Sequence, residues 1–375
     1  MSRIFDDLLV AELAEVLRSE ASVPGDSYLF TGPPGVGKAE AARMFAAAIL
    51  CPGACGACDV CRRVRNGIHP DVQTFSPEGQ TFPVEVIREV VHLASQTPLE
   101  ADHRVFILED AHLIAERSQN ALLKALEEPN ASVTWVLVAD LVDTLLPTVI
   151  SRCKVIPIPS PRPEAVAQIV QRRLGISSEE TQRMIRAARG DFERTLALAS
   201  DESARQLRRL ALNAATRGGT SALWALDTVE EVQKLAAAAR DSKARGFGAE
   251  LKELEETIGK GRGSAGVLKR VGDRHKRALR QIETQVFSDF LFWLATAFRD
   301  MAALGAGATA QDAAEADAAE AELEAAGTRP VQFWLEMVEE CLAAQTAIAE
   351  NANAALAVEA VLLRLPLGTL ERRPG

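Results

Sequence analysis

The sequence of 375 residues lacks the features of a membrane or secreted protein. No uninterrupted apolar run reaches the ~18 residues that a membrane span needs, and the N-terminus lacks the charged-then-apolar pattern of a signal peptide. Hydrophobic residues make up 47% of the chain and charged residues 25%, as in an ordinary soluble protein. The sequence therefore predicts a cytoplasmic protein with no membrane partner and with two or three domains.

Acidic residues outnumber basic ones, and cysteine is scarce over most of the chain. The net charge is −10, so any contact with nucleic acid has to come from a local basic surface or from partner subunits. Four of the six cysteines lie between Cys51 and Cys61. In a reducing compartment such a cluster favours metal binding over disulfides.

A phosphate loop is predicted where an apolar strand at residues 29–31 leads into a glycine-rich turn and then a helix-forming run. Its spacing, Gly-x-x-x-x-Gly-Lys, lets backbone N–H groups and the helix N-terminus bind phosphate oxygens, while the lysine reaches the β and γ oxygens. The next residue is normally Ser or Thr, which binds Mg²⁺, but here it is Ala39. The loop is predicted to be able to bind ATP or ADP but not to hydrolyse ATP. The alternative is a tight connection between strand and helix that binds no ligand. The candidate residues are Gly32, Pro33, Gly35, Val36, Gly37, Lys38 and Ala39.

A metal site is predicted directly after that helix, at Cys51, Cys55, Cys58 and Cys61. Four thiolates within eleven residues, separated by Gly and Ala, match a tetrahedral all-cysteine site, which zinc most often occupies. The zinc would be structural, because no coordination position remains for a reacting water. An iron–sulfur cluster and free buried thiols are the alternatives.

Alternating strands and helices predict an α/β core. Apolar spacing indicates a helix over residues 5–19, and strands follow at 72–75, 104–108 and 133–139. Strands that are apolar on both faces belong in a parallel sheet covered by helices. The second of these strands ends at Glu109-Asp110, on the sheet edge where such folds bind ligands. This acidic pair is a candidate metal-binding part of the nucleotide site, and a solvated strand end with a helix cap is the alternative.

Several motifs occur together in one order. They are the phosphate loop, the cysteine cluster, Gly-Ile-His-Pro-Asp at 67–71, Asn-Ala-Leu-Leu-Lys-Ala-Leu-Glu-Glu-Pro at 120–129 and Ser-Arg-Cys at 151–153. In this combination, residues 1 to about 159 resemble the bacterial DNA polymerase III clamp-loader subunits. The resemblance implies an AAA+-type core and partners of the gamma/tau and delta types. It also implies a role in loading the sliding clamp on primed DNA within the assembled complex.

The resemblance includes both ATP-hydrolysing gamma/tau motors and a stator-like delta-prime type. This sequence departs from the motor pattern at Ala39, in the reversed pair Glu109-Asp110, at Ala139 on the sensor strand and at Glu193 in the lid. Each departure removes an interaction with the transition state, and losing one such donor costs ~10²–10³ in rate. We therefore expect a delta-prime type without ATPase activity, with a gamma/tau-type motor as the alternative.

The motif Ser151-Arg152-Cys153 is intact, in contrast to the altered nucleotide site. In clamp loaders the arginine of this motif acts in trans on the ATP of a neighbouring subunit, so the resemblance implies that role for Arg152. A planar guanidinium stays charged and can bind two phosphate oxygens at once. An ordinary surface turn is the alternative.

The predicted domain organisation has three parts. Residues 1–160 form the AAA+-like core with a cysteine module at 51–66. A proline-rich hinge leads to a small helical lid at 161–201, and residues 202–375 form an all-α domain that the resemblance identifies as a collar.

Two segments of the all-α part are predicted to be insertions. Residues 242–280 hold eleven Lys/Arg against five Asp/Glu, and residues 303–327 are rich in Ala and Glu and predicted to be loose. The basic segment could contact DNA or an acidic partner, or remain a solvated insertion. A nucleic-acid-binding module built on the cysteine cluster is disfavoured, because the cluster lacks aromatic and basic residues that would stack on and clamp bases.

Overall fold

The computed structural model describes residues 4–6, 8, 10–77, 82–218, 222–258, 264–309 and 319–365. The chain divides into two compact units. The first comprises Met1–Ser178, Gly190–Arg194 and Gly248–Arg274, and the second comprises Glu179–Arg189, Thr195–Phe247 and His275–Gly375. Parts of the two predicted insertions, at 259–263 and 310–318, lie outside the described residues. None of the helices in the described ranges is both long and apolar enough to cross a membrane.

A five-stranded parallel sheet forms the centre of the first unit, which confirms the predicted fold class. Its strands are β1 (Ser27–Thr31), β2 (Val72–Phe75), β3 (Arg104–Leu108), β4 (Val133–Ala139) and β5 (Lys154–Pro157), in the order β2-β3-β4-β1-β5. β1, β3 and β4 are buried along their whole length, which explains their continuous apolar sequences. β5 lies at an edge, where Pro157 is tolerated because one side of the strand needs no partner.

Helices cover both faces of this sheet. α1 (Ala11–Ser22), α2 (Lys38–Leu50) and α3 (Asp59–Arg65) lie on one face, and α4 (Val84–Ala94) and α5 (Glu116–Glu127) lie on the other. Successive strand residues point to opposite faces. Accordingly, Phe30 packs against Phe45 of α2, whereas Leu29 belongs to the apolar cluster beneath α4 and α5.

The predicted start of the first helix, at residue 5, is wrong. Residues 4–6 form a turn and α1 begins at Ala11. Ile4 and Phe5 are buried, and the backbone N–H of Ile4 donates to the carbonyl oxygen of Ala54 at 3.2 Å. The apolar residues before α1 therefore pack against the cysteine-containing segment instead of continuing the helix.

The remaining elements are helical. They are α6 (Pro147–Ile150), α7 (Pro163–Leu174), α8 (Ser178–Ala187), α9 (Phe192–Ser200), α10 (Glu202–Arg217), α11 (Ala222–Ile258), α12 (Ser264–Gly305), α13 (Ala319–Ala326), α14 (Val331–Ala349) and α15 (Ala354–Leu363). The core of the second unit is built on α12, whose Phe290, Leu294 and Phe298 recur every four residues and are fully buried. The segment 303–327, predicted to be loose, contains helix α13 with a buried Glu322.

Candidate functional site

The predicted phosphate loop connects β1 to α2 at the carboxyl edge of the sheet. Gly35 and Gly37 have φ values of 73° and 79°, a left-handed conformation that residues with a Cβ rarely adopt. Gly37 is the residue before α2, and Val36 is buried beneath the loop. The backbone thus has the turn and the helix N-terminus that phosphate binding requires.

The loop lysine already has partners within its own chain. Lys38 is only 5% exposed, and its Nζ lies 2.8 Å from Oδ1 of Asp140 and also donates to the carbonyl oxygen of Pro33. Asp140 directly follows β4, whereas the preceding Ala139, which the sequence analysis assigned to the sensor position, is buried in the sheet. Asp140 was not among the predicted site residues, although it follows β4 at the same sheet edge at which Glu109 follows β3.

The acidic pair after β3 also has protein partners. Glu109 accepts hydrogen bonds from Nη1 of Arg43 at 2.7 Å and from Oγ of Ser76 at 2.9 Å. Asp110 adopts a left-handed conformation with φ of 51°. Burial raises the pKa of the Asp110 carboxyl, with Glu109 and Asp140 adding to the increase while His112 and Lys38 oppose it. The Arg43 guanidinium of α2 is therefore paired with Glu109, one of the two carboxylates predicted as a metal-binding pair.

A further carboxylate, Asp191, lies against the phosphate loop. A Cβ on Gly35 would overlap the Asp191 carboxylate, and the N–H of Phe192 donates to the Gly35 carbonyl oxygen at 3.0 Å. Asp191 accepts from the backbone N–H of Arg194 at 2.9 Å and from its Nη1 at 2.8 Å. Arg194, one residue beyond the exposed Glu193 at the predicted lid position, is thus bound to Asp191. No sequence pattern identified Asp191, because its approach to Gly35 is a tertiary contact.

The four predicted metal ligands are brought together by the structure. The Sγ atoms of Cys51, Cys55, Cys58 and Cys61 all lie within 4.8 Å of one another. Cys51 Sγ is 3.8 Å from Cys55 Sγ and 3.7 Å from Cys58 Sγ. Sulfurs bound at 2.3 Å around one tetrahedral ion are about 3.8 Å apart, so the spacing fits a single metal ion.

Backbone groups favour the thiolate form of Cys55, whereas burial raises the pKa of the Cys61 thiol. The N–H groups of Ala57 and Cys58 lower the pKa of the Cys55 thiol to about 6. The Cys58 N–H lies 3.3 Å from Cys55 Sγ, and the Cys61 N–H lies 3.5 Å from Cys58 Sγ. The thiolate is the form that binds metal.

An ion pair and a set of hydrogen bonds, in which Arg63 and Asp71 are buried, connect the cysteine module to the sheet. Arg63 of α3 is paired with Glu100 at 2.7 Å. The backbone N–H groups of Leu99, Glu100 and Ala101 donate to the fully buried Asp71 carboxylate at 2.7, 2.7 and 2.9 Å. The Gly-Ile-His-Pro-Asp motif therefore has a structural role, since its aspartate fixes the loop that holds the α3 arginine.

The predicted trans arginine lies at the surface of the first unit. Arg152 follows α6 in an exposed turn, and its Nη1 donates to the carbonyl oxygen of Thr148 at 2.8 Å. Its Nη2 pairs with the exposed Glu127 at the end of α5. Cys153, the next residue, is buried and holds the turn against the core. The turn is thus held by the buried Cys153, whereas the Arg152 side chain is held only by exposed contacts that water or a partner can replace.

Comparisons with known proteins match the same part of the chain. Residues 9–162 match a family model described as "DNA polymerase III, delta subunit". DNA polymerase III subunit delta' of Bacillus subtilis is 35% identical over 144 residues, covering 37% of this chain and 44% of that protein. The corresponding subunit of Pseudomonas aeruginosa is 38% identical over 134 residues, covering 34% and 41%. DNA polymerase III subunit gamma of Buchnera aphidicola is 33% identical over 132 residues, covering 34% and 36%.

These matches extend over less than half the length of each relative. Among solved structures, a gamma subunit-related protein of DNA polymerase III from Thermotoga maritima has a TM-score of 0.44 at 15% identity, covering 93% of this chain and 98% of that chain. A likeness this low supports no argument, so the assignment rests on the sequence matches. Residues 9–162 of this chain are thus similar to DNA polymerase III subunits of the delta' and gamma types.

Proposed function

We propose that this chain is a stator-like subunit of the delta-prime type in a DNA polymerase III clamp loader. It would act with gamma/tau-type and delta-type subunits to place the sliding clamp on primed DNA during replication. The proposal rests on two contacts of the predicted phosphate loop. Lys38 is ion-paired with Asp140, and the Asp191 carboxylate lies where a Cβ on Gly35 would be. A family member whose own site is filled by its own carboxylates is suited to support the sites of its neighbours.

The charges around the loop oppose binding of a polyphosphate. Asp140 and Asp191 lie where additional negative charge would approach, and removing a phosphate from water into such a site is costly unless cations compensate. Lys38 is engaged with Asp140, and Arg43 is engaged with Glu109. Binding of ATP or ADP would require at least one of these ion pairs to break, so we expect weak affinity.

Of the groups that would support hydrolysis, one is missing and another is already paired. Ala39 has no hydroxyl to bind Mg²⁺, and Glu109 is bound to Arg43 at 2.7 Å. Without the ion, its stabilisation of charge on the transferring phosphoryl group is lost. The chain is therefore proposed to have no meaningful ATPase activity of its own.

Arg152 is proposed to complete the ATP site of a neighbouring subunit. Its turn is exposed, and its partner Glu127 is also exposed, so exchanging Glu127 for a phosphate costs little. The planar guanidinium could then bind two oxygens of the neighbour's ATP.

Cys51, Cys55, Cys58 and Cys61 are proposed to hold one structural zinc ion. The sulfur separations of 3.7 and 3.8 Å support a single tetrahedral ion, and four protein ligands leave no position for catalysis. Zinc binding would stabilise the segment that contacts Ile4 on one side and, through Arg63, the loop at Glu100 on the other.

A gamma/tau-type motor is the second candidate, because the glycines of the loop retain phosphate-binding conformations. ATP turnover by the purified full-length chain with Mg²⁺ separates the two candidates. We expect turnover far below the ~1 s⁻¹ that is usual for working enzymes. Turnover at or above that value would overturn the stator proposal and establish the motor.

A further inference from the structure

A short segment before α1 connects the cysteine module to the phosphate loop. Its described residues are Ile4, Phe5, Asp6, Leu8 and Val10, here named the strap. Ile4 and Phe5 are only 4% and 3% exposed, although they lie in a turn and not in a helix or strand. The first end of the strap is therefore docked on the first unit mainly by its own side chains.

That end is attached to the cysteine module. The backbone N–H of Ile4 donates to the carbonyl oxygen of Ala54 at 3.2 Å. The side chains of Ile4 and Phe5 belong to the apolar cluster that also contains Ala54 and Cys61, and the other three cysteines of the module pack against it. The position of the cysteines therefore determines the surface on which the strap docks.

Ala54 holds a conformation that metal binding would maintain. Its φ is 39°, in the left-handed region that residues with a Cβ rarely adopt, and it lies between the proposed ligands Cys51 and Cys55. Its N–H donates to the Cys51 carbonyl oxygen at 2.6 Å. When Cys51 and Cys55 are held by one ion, both sides of this strained residue are fixed. The carbonyl oxygen that Ile4 uses is then fixed as well.

The other end of the strap closes a cavity at the start of α2. Leu8 and Val10 line this cavity together with Val36 and Gly37 of the phosphate loop and Met44 of α2. The cavity has a volume of about 10 Å³, which is roughly the room that one water molecule needs. Because two of its lining residues belong to the strap, undocking of the strap would open the cavity to solvent.

The middle of the strap has a weaker attachment. Nη1 of Arg172 donates to the carbonyl oxygen of Asp6 at 2.7 Å, but both residues are exposed. Water competes for such a contact, so it adds little to the docking of the strap. The buried contacts of Ile4 and Phe5 with the cysteine module consequently decide whether the strap stays docked.

We propose that the metal-bound cysteine module latches the strap, and that the latched strap closes the cavity beside the phosphate loop. Without the metal, Ala54 can leave its left-handed conformation, the strap undocks and the cavity opens. This inference rests on the proposed zinc site. It does not depend on the stator role or on Arg152, so those proposals can fail separately.

The test compares the purified full-length chain as isolated with the same chain after a chelator has removed its zinc, and the metal content of each sample is measured. Hydrogen exchange followed by mass spectrometry reports the strap amides of Ile4 and Leu8, which are hydrogen-bonded in the docked state. Methyl NMR of labelled methionines with a soluble paramagnetic probe reports the exposure of Met44, which is buried. Met301, fully buried in the second unit, is the reference.

We expect removal of zinc to accelerate exchange of the strap amides at least about tenfold, because they would then exchange from an undocked segment. The Met44 methyl should become accessible to the probe, and the Met301 methyl should not. Phe5→Ala should give the same result with zinc present. Because coupling is reciprocal, it should also weaken zinc affinity, by up to the factor by which zinc slows exchange of the strap. Asp6→Ala, at an exposed side chain of the strap, is the control and should behave as wild type.

The outcomes separate the latch from the zinc site. Strap exchange that stays unchanged when a full equivalent of zinc is removed would overturn the latch and leave the zinc assignment intact, as would wild-type zinc affinity in Phe5→Ala. No zinc in the isolated chain would overturn both. An undocked strap with Met44 still inaccessible would overturn the closure of the cavity. Cys58→Ser breaks the module without altering the strap and should match the zinc-free wild type, so the test does not depend on the folding of Phe5→Ala.

Discussion

The Nζ atom of Lys38 lies 2.8 Å from Oδ1 of Asp140, so the lysine of a phosphate loop is ion-paired within its own chain. The lysine is 5% exposed and Asp140 comes from the strand next to β1 in the sheet. A nucleotide phosphate can reach this lysine only if Asp140 moves or if two negative groups share one cation. This ion pair is therefore the contact that a nucleotide phosphate would have to displace.

The substitution Asp140→Asn should increase the affinity of the chain for ATP, because it keeps the side-chain shape and removes the competing negative charge. We expect about tenfold tighter binding, corresponding to about 1.4 kcal/mol, in calorimetric titration without Mg²⁺. Asp143→Asn, an exposed carboxylate three residues away, is the control and should leave affinity unchanged. Equal affinities for wild type and Asp140→Asn would show that this ion pair does not limit nucleotide binding.

The purified chain should contain about one equivalent of zinc without added metal. Replacing one ligand, Cys58→Ser, should reduce the zinc content below about half an equivalent and lower the melting temperature, because metal binding is coupled to folding. Cys153→Ser lies outside the cluster and should keep the zinc content of wild type. Elemental analysis provides the measurement, and iron in place of zinc would contradict the assignment.

The substitution Asp71→Ala should destabilise the first unit by roughly 3–5 kcal/mol. It leaves the buried Arg104, whose Nε lies 3.6 Å from Asp71, without this carboxylate and removes the acceptor of the N–H groups at 99–101. Urea unfolding followed by circular dichroism measures the change. Asp102→Ala, at an exposed neighbouring carboxylate, should change stability by less than about 0.5 kcal/mol. A similarly small effect of Asp71→Ala would refute the structural role given to this motif.

Glu322 should make the stability of the second unit depend on pH. Burial, with Asp300 adding to it, raises the pKa of this carboxyl from 4.5 to about 7, while Arg208 and Arg189 oppose the increase. The folded state thus binds the proton more tightly than the unfolded state. Ionisation of the buried Glu322 carboxyl therefore lowers the free energy of unfolding as pH rises. This loss is absent below pH 4.5 and reaches its full value of about 3 kcal/mol above about pH 7.

Thermal unfolding of Glu322→Gln and wild type between pH 5 and pH 8 tests this prediction. The stability advantage of the glutamine variant should increase with pH, because the amide cannot acquire the buried charge. Glu324→Gln, at an exposed position two residues away on α13, should show no such trend. A constant difference between wild type and Glu322→Gln across this range would contradict the raised pKa.

The elements with strong local signals were predicted correctly from the sequence. The apolar runs of β3 and β4 indicated buried parallel strands, and the spacing of the four cysteines placed their sulfurs close together. Both features depend on short-range periodicity or spacing. The start of α1 was predicted too early, because Ile4 and Phe5 are buried by tertiary packing near Ala54 and are not part of the apolar face of the helix.

The carboxylates that contact the predicted phosphate loop, Asp140 and Asp191, were not predicted. Asp191 is far from Gly35 in sequence, and only the folded chain brings its carboxylate against the loop. The glycine-containing segment 242–280, predicted to be an insertion in the all-α part, lies largely in α11 and α12 in the described residues. Glycine has a weak helix propensity, about 1 kcal/mol per residue less favourable than alanine, and Leu254 and Val271 form a small apolar cluster within these helices.

ATP hydrolysis by a reconstituted loader tests the proposed stator role most directly, with gamma/tau-type and delta-type subunits, sliding clamp and primed DNA present. Arg152→Ala should fold and assemble normally, because the arginine is exposed and contacts only Thr148 and Glu127 in the described part of the chain. It should slow hydrolysis at one neighbouring site by a factor approaching the ~10³–10⁵ of arginine fingers, and Arg152→Lys should restore activity only in part. Because other motor sites also contribute, the loss in the whole assembly will be smaller. An Arg152→Ala loader that assembles and hydrolyses ATP at the wild-type rate would contradict the proposed role.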